Sequence, residues 1–531
     1  MKYNITELDK STLLQKDLKY KYRLYVIDKN ESVVDMLESV QSIGNYNIDS
    51  EADVRRTASF ILLLDKKYSA KHIESQINLW IGYDFKLEIG IFNMRKDDYV
   101  WYECGYYTIT STNTAYDASN NSLSTDISDW FSKLDGTRNG QIGGAPTITI
   151  PNMDDNGNKI TIREATAGVL KDSGINKHIL QDVGEFYGME EVNDDYVSYR
   201  ENNPDWNKLP YDLEYNCGCN TSDILTDIRD LYPNNEMYFD VYNNFCFGII
   251  PSCDNDQIAL DNDFIQKILA GDNSESVTYD VPSIKNVTEV LGKSYDVDNY
   301  CETVTVSSYI YNLTLSSYTS YAGGTIIAFV APSDNIDSMK IKVNNLDAIP
   351  IYHEYTSTYI SKGTIKKGTT YCVKIAYVNA EYVAYFLGQF QPHALCVLTS
   401  DMNDTTYTKE YFQNTYNCKN VVFRLEEDNP FTIQRIGIVL DTKSGEEFDN
   451  ILSDSIAIEN AVYYNKKSSS CNDIVTITTK MIPFLDVNIK VSYKKQQEEE
   501  IHEYIIKSVS NDLGDMTSSI TMERFHPLYF E

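Results

Sequence analysis

The sequence predicts a mainly β fold with α+β parts: a β-rich unit at each end of the chain, a small α+β domain between them and an inserted β domain. Three observations support this. Tyr accounts for 42 of the 531 residues, and aromatic residues favour strands. The chain is 42% hydrophobic with only 13 Pro, which favours folded domains over disorder. Many short segments alternate apolar and polar residues, the period of half-buried strands.

Residues 1–145 are predicted to form the first β-rich unit. Tyr22–Ile27 and Val33–Leu37 are strand segments joined by a polar turn. Phe85–Phe92 alternates apolar and polar residues throughout, and Trp101–Thr110 follows it as a further strand. Strands that recur about every 8–12 residues favour a sandwich or a barrel.

Residues 146–255 are predicted to form the small α+β domain. A stretch rich in Gly, Thr and Pro, residues 138–152, marks the boundary before it. Ile162–Leu170 and Ser222–Leu231 have the pattern of helices. Met237–Ile250 has the pattern of a hairpin.

Residues 256–305 and 400–531 are predicted to form a second, discontinuous unit of the barrel and α+β type. Residues 306–399 are predicted to be inserted into it as a β-sandwich-like domain, because this range contains only strand patterns. Helical periodicity returns after it, in Ser453–Tyr464. Since inserted domains are tolerated where both ends leave an exposed loop, we expect the two ends of the insertion to lie close together.

The charge balance excludes several classes of function. The chain has 46 Lys and Arg against 78 Asp and Glu, a net charge of −32, which disfavours binding to nucleic-acid phosphates and to anionic membranes. Apolar runs such as Ile326–Ala331 fall short of the roughly 18–20 residues of a membrane-spanning helix, and residues 1–10 lack the apolar core of a signal peptide. We therefore predict synthesis in a cytosol, no membrane span and reduced cysteines.

Two motifs of ligand-binding loops are incomplete. Gly292–Ser294 reads Gly-Lys-Ser, like the end of a phosphate-binding loop, but Val287 stands where that loop requires its first Gly. Asn152–Asn158 has the acidic spacing of a calcium loop, but Arg163 stands where a bidentate Glu is required. The sequence predicts simple turns at both places.

The patterns typical of metal sites and hydrolases fail as well. Cys217 and Cys219 are too close for a Cys-x-x-Cys zinc knuckle, even with Cys246 and Cys253 nearby. The pairs His353-Glu354 and His502-Glu503 lack a second His four residues after the first, and the sequence has no Gly-x-Ser-x-Gly elbow. A glycosidase pair of carboxylates stays open because 78 acidic residues offer many pairs. We predict no catalytic, cofactor-binding or metal-binding residue and no cofactor.

Segments at both ends of the chain resemble tail hub proteins of tailed bacteriophages. Those that resemble the first domain of this family are Tyr25–Glu31, Asp49–Thr57, Trp101–Ile109 and Leu123–Gly136. Those that resemble its last domain are Asn429–Gly437, Ser453–Glu459, Ile482–Asn488, Tyr504–Ser510 and Phe525–Tyr529. Between them, Phe329–Asn335 and Gly363–Gly368 resemble a small β-module of phage tail and fibre proteins.

The resemblance implies a structural protein and not an enzyme. Hubs of this family are homotrimers in which two related β-barrel domains per chain alternate around a ring of pseudo-sixfold symmetry. The ring adapts the sixfold tail tube to a threefold tip and lets DNA pass without specific binding. The implied location is the tail tip or baseplate of the virion. The implied partners are distal tail or tail tube proteins, the tape measure protein, and tail fibre or tip proteins.

Two other functions stay open. One is a receptor- or glycan-binding tail-tip protein that acts through residues 306–399, because tyrosine rings can stack on sugars. The tyrosines in question are Tyr309, Tyr311, Tyr318, Tyr321, Tyr352, Tyr355 and Tyr359. The other is a tail-tip hydrolase of the cell wall, for which no single acidic residue stands out.

Overall fold

Strands dominate the computed structural model of the protein, and the predicted mainly β class is confirmed. The structure describes residues 5–37, 40–63, 83–117, 120–144, 147–154, 156–183, 185–186, 207–233, 235–250, 258–271, 274–301, 303–316, 318–336, 338–353, 357–525 and 529–530. Cys253, Glu354, Tyr355 and residues 526–528 lie outside these ranges. The chain forms two compact units: one comprises Met1–Gly188, Ser198–Ile284 and Ser470–Glu531, and the other Met189–Val197 and Lys285–Ser469.

Twelve strands of the first unit form one sheet. They are β1 (Tyr20–Ile27), β2 (Val33–Leu37), β3 (Val40–Asp49), β4 (Arg56–Leu63), β5 (Asp84–Asn93), β6 (Asp98–Asp117), β7 (Asn120–Asp129), β14 (Glu275–Tyr279), β27 (Asp473–Lys480), β28 (Lys490–Tyr493), β29 (His502–Asp512) and β30 (Thr517–Arg524). The strand order is β14-β27-β30-β29-β3-β4-β7-β6-β5-β1-β2, and β28 pairs with β29. Every neighbouring pair in this sheet is antiparallel.

The described residues of the first unit also form smaller sheets and four helices. The further strands are β8 (Thr147–Ile150), β9 (His178–Leu180), β10 (Glu185–Phe186), β11 (Leu213–Asn216), β12 (Asn235–Phe239), β13 (Phe245–Ile249) and β31 (Tyr529–Phe530). The helices are α1 (Glu7–Leu13), α2 (Ile162–Asp172), α3 (Thr221–Asp230) and α4 (Asn262–Ile268). The pairs are β8 with β11, β10 with β31, and β13 with both β12 and β9. Helix α2 begins at a capping box, in which the Glu164 carboxylate accepts a hydrogen bond from the Thr161 amide and the Thr161 hydroxyl accepts one from the Glu164 amide.

Strand β5 illustrates how the sequence pattern fixes the large sheet. Phe85, Leu87, Ile89 and Ile91 are all buried in the core of the first unit. The residues between them face the other side, as the period of two requires. The predicted strand Phe85–Phe92 is confirmed.

The N-terminal and C-terminal strands belong to one sheet because β3 pairs with β29. The antiparallel register runs from Asp49 opposite Ser508 to Asn45 opposite Asp512. Within it, Ile48 faces Val509, and both are buried in the core that β1 to β7 share with β27 to β30. The two ends of the chain therefore bury their apolar residues together.

The second unit contains two sheets. A four-stranded sheet, in the order β25-β24-β15-β26, is packed by helices, and an eight-stranded sheet has the order β16-β19-β22-β23-β21-β20-β18-β17. The strands are β15 (Val287–Leu291), β16 (Asn299–Cys301), β17 (Val304–Ser307), β18 (Ile310–Leu313), β19 (Ile326–Val330), β20 (Lys340–Val343), β21 (Ile349–His353), β22 (Thr370–Val378), β23 (Glu381–Gln389), β24 (His393–Thr399), β25 (Asn420–Leu425) and β26 (Leu440–Lys443). The helices are α5 (Lys409–Tyr416), α6 (Ile433–Ile436) and α7 (Asp454–Ser468). No helix in the described ranges combines the length and the apolar character needed to cross a membrane.

The eight-stranded sheet is inserted between β15 and β24, at the place where a short turn would otherwise join these two neighbouring strands. Strands β15 and β24 are antiparallel partners, with Leu291 opposite His393. At their ends the Gly292 amide donates a hydrogen bond of 2.8 Å to the Pro392 carbonyl. A Cβ atom at Gly292 would lie 2.4 Å from the Ile451 carbonyl oxygen, so this close approach requires glycine.

The limits of the eight-stranded sheet differ from the predicted range 306–399. Strand β24 falls inside that range but pairs with β15 and β25 in the four-stranded sheet. Strand β16 precedes the range, and its Cys301 is buried in the core of the eight-stranded sheet. The sequence pattern did not separate these strands because β24 is apolar on both faces and has no alternation that identifies its sheet.

We expect the protein to stay folded when residues 293–391 are replaced by a short Gly/Ser linker. The ladder between β15 and β24 keeps all its partners, and a short closure costs little free energy because the two strand ends are already hydrogen-bonded to each other. Circular dichroism and urea unfolding of the purified deletion variant measure this. As a matched control, deletion of residues 306–399 removes β24 from the middle of the four-stranded sheet and should unfold it. Equal behaviour of the two variants would contradict this boundary.

Candidate functional site

Five buried charged residues of the first unit form one ion-pair cluster. We call it the Arg55–Arg56 cluster; it comprises Arg55, Arg56, Asp129, Glu236 and Asp486. Arg55 Nη2 lies 2.8 Å from Glu236 Oε2, and Arg56 Nη2 lies 2.7 Å from Asp486 Oδ2. The two arginine side chains are 2% and 1% exposed. These charges are therefore held by each other and not by water.

The members of the cluster come from four separate parts of the chain, with Arg55 and Arg56 adjacent to each other. Arg56 is the first residue of β4, and its amide donates a 2.9 Å hydrogen bond to Asp129 Oδ2 at the end of β7. The other oxygen of Asp129 accepts the amide of Phe131 at 3.0 Å and so caps the 3-10 turn that follows. Glu236 lies in β12, and Asp486 lies in the segment between β27 and β28. The cluster thus ties the N-terminal, central and C-terminal parts of the first unit together.

Other groups contact the two guanidinium groups, although Arg55 Nε, Arg55 Nη1 and Arg56 Nε are buried without a hydrogen-bond partner. Arg56 Nη1 donates to the Phe239 carbonyl, and the Arg55 guanidinium lies 4.0 Å from the centre of the Tyr238 ring. Asn488 donates a 2.6 Å hydrogen bond to Glu236 Oε2. Burial raises the pKa of Asp129 to about 6, although the Arg56 amide and guanidinium both act to lower it.

The segments that carry the family resemblance meet at this cluster. Asp49–Thr57 supplies both arginines, Leu123–Gly136 supplies Asp129, and Ile482–Asn488 supplies Asp486 and Asn488. The contact between these segments could not be predicted from the sequence. Their shared location indicates that the cluster organises the fold of the first unit.

A second group of polar residues lies in the four-stranded sheet. His393 Nε2 is 2.9 Å from Glu289 Oε1, and Thr442 Oγ1 donates to the other oxygen of Glu289 at 3.2 Å. The His393 carbonyl accepts hydrogen bonds from Asn420 Nδ2 and from the Cys418 thiol. Burial lowers the pKa of His393, but Cys418 and Glu289 outweigh it and raise that pKa to about 9. Sequence reasoning missed this pair because Glu289 and His393 are 104 residues apart.

Of the two incomplete loop motifs, Asn152–Asn158 contains a turn, as predicted, closed by the Gly157 amide on the Asp154 carbonyl, whereas Gly292–Ser294 forms no turn and lies where the chain leaves β15. Around Gly292 the backbone is bonded to Pro392, and the Lys293 amide donates to the Ile451 carbonyl. Asp154 Oδ1 accepts the amides of Asn156 and Asn158, so its hydrogen-bonding capacity is used within the turn. The bonds from Asn158 and Asn156 hold the pKa of Asp154 below its usual value.

The cysteine and histidine candidates remain apart. Cys217 is exposed, Cys246 is buried in another strand, and both are free thiols. His502 lies 3.4 Å from Glu498 and 3.2 Å from Arg524. Within the described ranges, no group of three or more His, Cys, Asp or Glu residues is arranged to hold a metal ion.

The tyrosines proposed as a sugar platform divide into packed and exposed ones. Those packed in or against the core of the eight-stranded sheet are Tyr311, Tyr318 and Tyr321. The rings of Tyr352 and Tyr359 meet edge to face, 4.8 Å apart. Tyr309 is 53% exposed. Packing in the core therefore accounts for several of these residues.

Comparisons with known proteins find tail proteins. A family model described as a domain of unknown function, DUF5048, matches residues 428–529. No curated protein matches the chain. The 43 kDa tail protein of prophage MuSo2 from Shewanella oneidensis is 10% identical, with 95% of this chain and 98% of that one covered and a TM-score of 0.44. A tail protein from Neisseria meningitidis MC58 is 7% identical, with 95% and 97% covered and a TM-score of 0.43. Prophage tail protein gp18 from Listeria monocytogenes EGD-e is 8% identical, with 94% of both chains covered and a TM-score of 0.38.

We expect the substitution Arg56→Met to lower the free energy of unfolding by about 3–5 kcal/mol, because it leaves Asp486 buried without its partner. The double variant Arg56→Met with Asp486→Leu removes both charges and should be markedly more stable than the single variant. Urea unfolding measures both. As a control, Lys366→Met removes an exposed ion pair with Asp334 and should change stability by no more than about 0.5 kcal/mol. Equal losses for Arg56→Met and its double variant would contradict the role of the pair.

The His393–Glu289 pair should make stability depend on pH. Because the folded-state pKa of His393 is raised to about 9, its stabilising contribution is complete below the ordinary histidine pKa of about 6.5. It is lost as the pH rises through 9. We expect the difference in unfolding free energy between the wild type and His393→Gln to shrink from pH 6 to pH 10. A difference that stays constant over this range would show that His393 does not titrate with folding.

Proposed function

We propose that the chain is a structural hub protein of a phage tail. It forms a homotrimeric ring at the tail tip or baseplate, adapts the sixfold tail tube to a threefold tip, and lets DNA pass. The observation that carries this proposal is the joining of the two hub-like ends of the chain: their segments share the Arg55–Arg56 cluster, and their strands share one sheet through β3 and β29. A chain that holds its N-terminal and C-terminal strands next to each other can occupy two neighbouring positions in a ring.

The charge of the chain supports passage of DNA without binding. Three copies carry three times the net charge of −32, and an acidic wall repels phosphate. A protein with this balance would not hold the DNA by ion pairs during ejection.

The role is structural and not enzymatic. Buried ion pairs and hydrogen-bonded turns account for the polar groups considered above, and each holds parts of the fold together. The partners are distal tail or tail tube proteins and the tape measure protein on one side, and tail fibre or tip proteins on the other. The protein is located in the virion, and the host cytoplasm is where it is made.

Imaging of the assembled particle tests the proposal. We expect three copies of this chain around the tail axis and threefold averaging to improve their density, because a heterologous contact must close to avoid open polymers. Twofold, fourfold or fivefold symmetry at this chain would contradict the proposal. Native mass spectrometry of the detached tip gives an independent count of copies.

A further inference from the structure

One face of the large sheet combines cations with aromatic rings. We call it the basic–aromatic face; it comprises Lys19, Lys21, Arg23, Phe92, Tyr99 and Trp101. Lys19 immediately precedes β1, Lys21 and Arg23 alternate along that strand, and Phe92 and the other aromatics belong to β5 and β6. The residues between them, such as Tyr22 and Ile91, pack against the core. The face is therefore the side of the sheet that points away from the core.

The cations of this face are placed over the rings. Arg23 lies 3.6 Å from the centre of the Trp101 ring, Lys21 lies 4.7 Å from that of Tyr99, and Lys19 lies 5.9 Å from that of Phe92. The rings also contact one another, with centroid distances of 5.3 Å and 5.7 Å along the row. A continuous row of six side chains results.

Glycine makes room for this row. A Cβ atom at Gly90 would lie 2.8 Å from the Trp101 ring, so the indole lies directly on the backbone of β5. Lys19 and Lys21 are exposed, and Met94, in the turn that follows β5, is 55% exposed. Trp, Tyr, Met and Arg are the residues that protein interfaces favour.

The neighbours of the row argue against nucleic acid as its partner. Glu88 and Glu103 lie on the same face, and both pair with Lys86, at 3.0 Å and 2.7 Å. With Lys86 held by these two carboxylates, the face offers a short run of three cations and not the extended basic groove that follows a phosphate backbone. The ring faces that a base would need for stacking are partly covered by Lys21 and Arg23.

We propose that the basic–aromatic face docks on a second copy of this chain and forms the contact that closes the ring. A chain with 78 acidic and 46 basic residues offers mostly acidic surface, so a copy of the same chain is complementary in charge to three clustered cations. This inference rests on the proposed ring and adds to it the face that makes the contact.

The charges also determine the kind of contact. If the face met its own copy across a twofold axis, Lys19, Lys21 and Arg23 would oppose the same cations of the partner. Like charges placed opposite each other are unfavourable. The face must therefore meet a different surface of the next copy, and a head-to-tail contact of this kind produces a closed ring when its rotation closes.

A photoreactive amino acid, benzoylphenylalanine, at position 94 of this chain in the assembled particle tests this. Met94 lies beside the basic–aromatic face, in the turn that follows β5, and is 55% exposed, so the substitution leaves the six side chains of the face in place. We expect irradiation to join two copies of this chain, and mass spectrometry to find the joined peptide outside β1, β5 and β6. The matched control carries the same group at position 309, an exposed tyrosine of the second unit, and should give fewer crosslinks between copies.

Four results would overturn the inference: crosslinks to β1, β5 or β6 of another copy, crosslinks to a different tail protein, crosslinks to DNA, or no crosslink above the control. The charge reversal Lys21→Glu with Arg23→Glu gives a second readout and should reduce the number of particles that contain the ring by tenfold or more. The proposed function is judged separately by the symmetry of the wild-type particle. A threefold ring without a crosslink from position 94 overturns only the docking face, whereas another symmetry overturns the ring itself.

Discussion

The first unit depends on the buried ion pair between Arg56 and Asp486. Removing a guanidinium and a carboxylate from water costs several kcal/mol for each ion, and a close partner offsets that cost. The free-energy cost of burying Arg56 is therefore offset only after the segment that precedes β28 has packed against it. Because the two residues are 430 positions apart, the N-terminal strands cannot reach their final packing before the C-terminal ones.

The strand pairing imposes the same order on folding. Strand β3 lies in the N-terminal part of the sequence, whereas β29, one of its two neighbours in the sheet, lies near the C-terminal end. Pairings over such sequence distances form slowly, because the loss of chain entropy precedes the gain from contacts. A truncated chain would expose the edge of β3, and unpaired strand edges are a route to aggregation. The N-terminal and C-terminal strands consequently form one structural element, which is complete only when both are present.

The sequence is informative where a residue's surroundings are local. The alternation in β5 and the serine that caps α7 identify those elements directly, since each depends on neighbours within a few positions. The pairing of β3 with β29 could not be predicted, because period-two patterns state which face is buried but not which strand lies alongside. The Arg55–Arg56 cluster could not be predicted for a related reason. Arginine is rarely fully buried, and no residue near Arg56 in the sequence indicates that Asp486 is its partner. The limits of the eight-stranded sheet could not be predicted because β24 is apolar on both faces, and its pattern therefore does not indicate which sheet it joins.

The hydrogen bond between Gly292 and Pro392 has a consequence for how such a protein can change over generations. Both ends of the eight-stranded sheet leave from one rung of the ladder between β15 and β24. Strands β15 and β24 keep their register whatever sequence is inserted between them, because the free energy of closing the chain depends only weakly on the length of the insert. A gene that encodes this fold could therefore exchange the module by recombination and leave the remainder of the chain untouched.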